Sequence, residues 1–220
     1  MKGKIAEIFK SIQGEGIYVG IPQLFIRFYG CKLNCSFCDT YLRRYKNFSP
    51  YQLLKKVKLH AQGINSLSLT GGEPLEQTDF LKEFLTLLKK EHLKVYLETS
   101  GIHFKELKKL IKLIDIIAMD IKLPSSTQRE AYWQEHREFL KIALQKKVFV
   151  KAVICLSTTE KDLKRAISLL EGKDTVFVLQ PNTFELDKLG EKLDRFQKTC
   201  VNYLKDVRII PQLHKLLRRD

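Results

Sequence analysis

The sequence predicts an α/β fold: about six parallel strands with helices outside, curved into an incomplete, open β/α barrel. Three observations carry that expectation. Short β-rich apolar runs alternate with longer amphipathic segments along the whole chain. The spacing between successive runs leaves room for a crossover helix each time. Glycines and polar residues gather just after the runs, where ligands sit in folds of this kind. Six repeats in 220 residues fall short of a closed eightfold barrel, which typically needs about 250. A doubly wound open sheet shows the same alternation, and the pattern alone does not separate the two.

A strand near Ile5–Phe9 opens the chain, and "LFIRFYG" at 24–30 is the first of the six parallel candidates. Ser49 followed by Pro50 supplies a capping hydroxyl and a proline at the first helical position, so a helix is expected over 49–62. "SLSLT" at 66–70 is followed by a helix at 79–91, and "KVYLET" at 94–99 by one at 104–113. In the latter, Phe104, Leu107, Leu110, Ile111 and Ile114 share one face, leaving Lys105, Lys108, Lys109 and Lys112 to solvent. "DIIAMDI" at 115–121, "VFVKAVICL" at 148–156 and "TVFVLQP" at 175–181 complete the six. Helices are expected at 128–146, 160–171 and 185–204, and an extra strand near Val207–Ile210. No linker, repeat or low-complexity tract divides the chain, so one domain spanning 1–220 is expected.

The formal net charge of +14 raises the question of a nucleic-acid partner. The lysines, however, are interleaved with apolar residues at helical spacing, and no basic stretch is studded with aromatics. Solvated helix faces explain the charge better. No apolar run approaches the ~18 residues of a membrane helix. The first residues, "MKGKIAEIFKSIQGEG", contain no apolar signal region, so the expectation is a cytoplasmic protein with reduced thiols.

In that setting "GCKLNCSFCDT" is the most informative stretch. Three of five cysteines, Cys31, Cys35 and Cys38, fall within eight positions. Scattered buried thiols are the bland alternative. Structural zinc wants four ligands, commonly paired, and here the second pair is missing while the five histidines are dispersed. A 4Fe–4S cube fits better. Four cysteines normally hold one, and three would leave one iron open to an exogenous ligand.

"CKLNCSFC" has the CxxxCxxC spacing of the radical S-adenosylmethionine (SAM) enzymes, and "TGGEP" after the next strand matches that family's GGEP segment. With "QGEG" at 13–16, Arg27, "CDT", "ETSG" and "PQLHKL", the chain resembles the 7-carboxy-7-deazaguanine synthases over essentially its full length. That resemblance implies a lyase that contracts 6-carboxy-5,6,7,8-tetrahydropterin with loss of ammonia, on the route to queuosine, a tRNA modification, and other deazapurines. It implies SAM on the open iron, cleaved by an electron from the cluster to give a 5′-deoxyadenosyl radical, with SAM regenerated and Mg²⁺ assisting. A homodimer and an electron donor such as a flavodoxin or ferredoxin are implied too; a membrane and a nucleic acid are not.

Carried onto this sequence, the resemblance assigns the cluster to Cys31, Cys35 and Cys38. Phe37, Asp39, Gly72, Ser100, Asp120, Ile121 and Lys122 would lie along SAM, with Gln180, Pro181, Asn182 and Thr183. Thr40 would ligate Mg²⁺ through its hydroxyl. Ile12, Gln13, Gly14 and Thr70 would contact the pterin, and Arg27 would grip its carboxylate. Plainer readings stand beside these. Arg27 could pair with a surface acid, Thr40 could be a cap, and Asp120 could pair with Lys122. Cys155 and Cys200 read as core. "ETSG" stands where the family more often has "ETNG", and the tail "HKLLRRD" does not align. Two other functions remain to be weighed: a glycyl-radical activase, which gives QGEG and Arg27 no role, and a basic nucleic-acid-binding module with a structural metal.

Overall fold

The structure, a computed structural model, describes residues 1–64 and 66–217. One nine-stranded sheet runs through it, and its first and last strands do not meet. In chain order the strands are β1 (Gly3–Ile12), β2 (Pro22–Phe28), β3 (Lys46–Phe48), β4 (Ser66–Gly71) and β5 (Lys94–Thr99), then β6 (Ile116–Asp120), β7 (Lys147–Ile154), β8 (Phe177–Pro181) and β9 (Val207–Ile209). The spatial order is β3-β1-β2-β4-β5-β6-β7-β8-β9. From β2 through β9 every pairing is parallel; β1 is antiparallel to both β2 and β3. The open, partial barrel expected from the sequence is therefore present, extended at one edge by a hairpin.

Outside it lie α1 (Pro50–His60), α2 (Thr78–Leu88), α3 (Phe104–Leu110), α5 (Trp133–Ala143), α6 (Glu160–Leu170) and α7 (Gly190–Val201), with short turns α4 (Pro124–Thr127) and α8 (Leu213–Leu216). Ser49 caps α1 as expected: its side chain accepts from the Gln52 backbone N–H at 3.2 Å while Gln52 reaches back to the Ser49 N–H at 2.8 Å. Two helices start later than the periodicity suggests. The one expected at 128–146 starts at Trp133, because Gln128 takes a left-handed conformation, φ 55°, that ends α4. The one expected at 185–204 starts at Gly190, after a 3₁₀ turn over Thr183–Lys188. The three-residue β3 carried no sequence signal. Among the described residues no helix is long and apolar enough to cross a membrane.

Alternation along the strands builds two surfaces. Leu67, Leu69, Val95, Leu97, Ile117, Met119, Val150, Ala152, Phe177 and Leu179 face the helices in one continuous core. The intervening residues face the barrel interior. At its base Tyr96, Ile116, Ala118, Phe149 and Val178 form a second apolar cluster. One step nearer the carboxyl ends the same face turns polar: Thr70, Glu98, Asp120, Lys151 and Gln180. A greasy floor thus supports a polar cavity.

Candidate active site

A cavity of about 660 Å³ opens at the carboxyl ends of the parallel strands. Cys31, Cys35 and Cys38 all line it, on the loop that leaves β2. That loop is anchored from several sides: the Ser36 N–H donates to Thr127 O at 3.0 Å, the Ser36 hydroxyl to Ser126 O at 3.0 Å, and Arg129 to Asn34 O at 2.7 Å. Its stem is gripped by the segment after β4. The Glu73 N–H donates to Gly30 O at 2.8 Å, and a Cβ on Gly72 would fall 1.9 Å from that same oxygen. Glycine at 72 is thus required by the cysteine loop itself, a nearer reason than close approach to a ligand.

Glu73 organises the next wall. Buried completely, its carboxylate accepts from the Leu75 N–H (3.1 Å), the Thr99 hydroxyl (2.9 Å), and the Ser100 N–H (2.8 Å) and hydroxyl (2.6 Å). Beyond Ser100, His136 ties two strand ends together. Its Nε2 accepts from the Lys122 N–H at 3.0 Å, which leaves Nδ1 protonated to donate to Gly101 O at 2.9 Å. Burial holds its pKa down at about 4.

On the floor runs a line of charge. Lys122 meets Asp120 Oδ2 at 3.0 Å and lies over the Phe37 ring at 5.5 Å. Lys151 meets the same Oδ2 at 3.4 Å and forms a very short pair with Glu15. Burial alone would raise the Glu15 carboxyl; the Lys151 charge and hydrogen bond outweigh it and hold the group at about 2. Burial likewise opposes the charge on Lys151, and Glu15 and Asp120 more than compensate, raising it. Glu98 goes the other way: burial first, then the Glu15 charge, push its carboxyl up. Glu98 accepts from Gln13 Nε2 at 2.8 Å, Thr70 at 2.8 Å and Ser68 at 3.2 Å.

Of the residues singled out from the sequence, Ile12, Gln13, Gly14, Arg27, Phe37, Asp39, Thr40, Thr70, Gly72, Ser100, Asp120, Lys122, Gln180 and Asn182 line the cavity with the cysteines. Three do not. Ile121 is packed in the core, Pro181 is buried within β8, and Thr183 opens the 3₁₀ turn, its hydroxyl bonded to Gln212. Arg27 pairs with Glu7 at 2.9 Å over the Phe9 ring, so the plainer reading holds alongside the cavity position. The Asp120–Lys122 pairing is likewise formed. Cys155 and Cys200 are buried, as expected. The tail "HKLLRRD" is described only through Leu217; 218–220 lie outside the described residues.

Sequence reasoning gave no role to Glu98, Lys151 or Gln212, and took Glu15 only as part of the QGEG motif. A signal existed for two of them. A glutamate inside "KVYLET" and a lysine inside "VFVKAV" are charged residues in strands that both faces bury, and such residues need a buried partner.

The donor set fits an iron–sulfur cluster and SAM. Among the described residues no three His, Cys, Asp or Glu side chains converge as ligands of one ion do. Cys31, Cys35 and Cys38, all in the cavity wall, would instead hold a cluster of several irons, each thiolate serving its own. Burial raises the Cys31 and Cys35 thiols, so iron binding there must displace protons. Two buried acceptors in the cavity wall, Asp120 Oδ1 and Gln180 Oε1, have no protein partner among the described residues. Such groups are costly unless something donates to them. The amine and hydroxyl donors of SAM match that need.

The radical SAM superfamily model matches residues 25–170. A 7-carboxy-7-deazaguanine synthase of Geobacter sulfurreducens is 37% identical over 97% of this chain and 96% of its own. The chain belongs to the radical SAM superfamily and, within it, to the 7-carboxy-7-deazaguanine synthase family. A second family member, from Archaeoglobus fulgidus, is 32% identical over 99% of both chains. Among solved structures, QueE from Escherichia coli superposes with a TM-score of 0.69 over 97% of this chain and 95% of that one. At 24% identity that likeness speaks for the fold. Family membership accounts for the cysteine loop and for the cofactors, a 4Fe–4S cluster and SAM.

Proposed function

We propose that this chain is a radical SAM lyase that converts 6-carboxy-5,6,7,8-tetrahydropterin to 7-carboxy-7-deazaguanine with loss of ammonia, a step toward queuosine. The observation that carries the reading is a single cavity. It joins the three-cysteine loop to Gln13, Arg27 and Glu98, in a chain whose relatives are named for this activity. The glycyl-radical activase and the nucleic-acid module leave that second group of residues without a task.

When bound, the cluster and SAM supply a primary carbon radical that removes a hydrogen atom from the substrate. The chain's own residues do the rest by binding and orientation. Cys31, Cys35 and Cys38 hold the cluster; Asp120 Oδ1 and Gln180 Oε1 take donors of SAM, with Ser100 and Lys122 beside them. On the substrate side, a pterin presents adjacent N–H donors on one edge. The Glu98 carboxylate complements them, held in place by Gln13, Ser68 and Thr70. Gln13 has both N–H groups engaged, on Gln23 and Glu98, and so acts chiefly by aiming Glu98. Arg27 keeps donors beyond the one given to Glu7 and offers them to the substrate carboxylate. Thr40, next to Asp39 at the cavity wall, contributes its hydroxyl to Mg²⁺. A small acidic electron carrier and a homodimeric assembly complete the proposal.

Turnover tests it. Oxygen-free protein with cluster restored, given SAM, reductant, Mg²⁺ and the carboxypterin, should release ammonia and the deazapurine while SAM is regenerated. Fully clustered protein that cleaves SAM but never turns over the pterin would reject the assignment.

A further inference from the structure

We propose that Lys151 is the positioning residue that couples the two halves of the cavity, so that substrate and SAM bind cooperatively through it. The proposal rests on the function proposed above and deepens it. Lys151 lies in β7 opposite Asp120 of β6, in register. Its side chain is only 9% exposed, and it pairs with carboxylates from two distant parts of the chain. Glu15 belongs to the turn between β1 and β2, and its backbone N–H donates to Gln13 Oε1 at 3.0 Å. Gln13 in turn aims Glu98. That is the substrate side. Asp120 is the cofactor side, and its geometry is one-sided. Lys122 and Lys151 both sit on Oδ2, leaving Oδ1 buried and without a partner among the described residues, in a side chain that lines the cavity.

An ammonium has three N–H donors, and Glu15 and Asp120 take two of Lys151's. Without that ammonium, Glu15 and Asp120 are buried carboxylates with nothing between them, and one side must turn away or take up a proton. Glu15 retains Gln212 at 2.7 Å, and Asp120 retains Lys122, so neither half loses all its support. What is lost is the link. A ligand that fixes Gln13 and Glu15 therefore fixes Asp120 through Lys151, and by linkage the reverse holds equally.

The test needs no turnover. SAM affinity is measured by calorimetry on anaerobic, cluster-loaded, unreduced protein, with and without saturating 6-carboxy-5,6,7,8-tetrahydropterin. The wild type should bind SAM at least about 5-fold tighter with the pterin present. Lys151→Met should bring that ratio below about 2, while Lys151→Arg, which keeps the cation, should retain part of it. A merely structural lysine would lower both affinities and leave the ratio unchanged. Glu15→Gln cuts the same link from the other end and serves if Lys151→Met does not fold. A wild-type ratio near one, or a folded Lys151→Met or Glu15→Gln protein with the wild-type ratio, overturns the coupling role. A wild type that binds SAM but no pterin instead defeats the function proposed above.

Discussion

Replacing Glu73 by glutamine changes no volume and removes only one charge, yet it should be among the most damaging substitutions near the cavity. The carboxylate accepts four hydrogen bonds, two on each oxygen. An amide accepts at one oxygen and donates from its nitrogen. With the nitrogen at the Ser100 end, it faces the Ser100 backbone N–H; at the other end, it faces that of Leu75. The Thr99 and Ser100 hydroxyls can rotate to accept, but a backbone N–H cannot. One buried N–H is therefore orphaned in either orientation, at about 1–3 kcal/mol, and the surviving bonds lose their charge assistance. The sum is roughly 3–5 kcal/mol, which for a domain of this size lowers Tm by about 6–20 °C. Differential scanning calorimetry on cluster-free protein isolates this from cofactor loss. A Tm within about 2 °C of the wild type would refute the hydrogen-bond accounting.

Four further outcomes are expected. Cys35→Ala should abolish cluster retention and SAM cleavage together, read as iron per chain and 5′-deoxyadenosine formed. Arg27→Ala should leave iron content intact and raise the apparent KM for the pterin roughly 10- to 150-fold, the worth of a charge-assisted pair. Unchanged KM would remove Arg27 from substrate binding. Gly72→Ala should push the Gly30 carbonyl aside, since its Cβ would start 1.9 Å away, and reduce iron loading as well as stability. His136 gives a pH signature. Folding lowers its pKa from 6.5 to about 4, so between those values the unfolded chain binds the extra proton and stability falls with pH. About 3 kcal/mol should be lost from this residue by pH 4, seen in urea midpoints, and His136→Gln should flatten that slope.

Much of the fold was legible because buried parallel strands leave a plain record. Each of the six apolar runs became a strand, and Ser49–Pro50 marked a helix start through capping chemistry that acts locally. The failures were non-local. β3 exists because β1 offers it an edge to pair with, and nothing in "KNF" announces that. The late start of α5 depends on Gln128 adopting a left-handed turn to close α4. The site shows the same division. The cysteine loop was readable from its spacing, and GGEP from its likeness to the family's segment. The pairing of Glu15 with Lys151 and Gln212 was not, because it spans separations of 136 and 197 residues and exists only once the barrel has curled. Arg27 shows the limit of residue-type arguments: its partner Glu7 is the cross-strand neighbour, a contact set by register.

The account stands on an iron–sulfur cube held at three corners with the fourth open to SAM. Electron paramagnetic resonance of the reduced, oxygen-free protein, recorded with and without SAM, measures that directly. The predicted result is the signal of one reduced 4Fe–4S cluster per chain, which shifts when SAM is added. A spectrum indifferent to SAM, or a colourless protein carrying a single zinc, would contradict it.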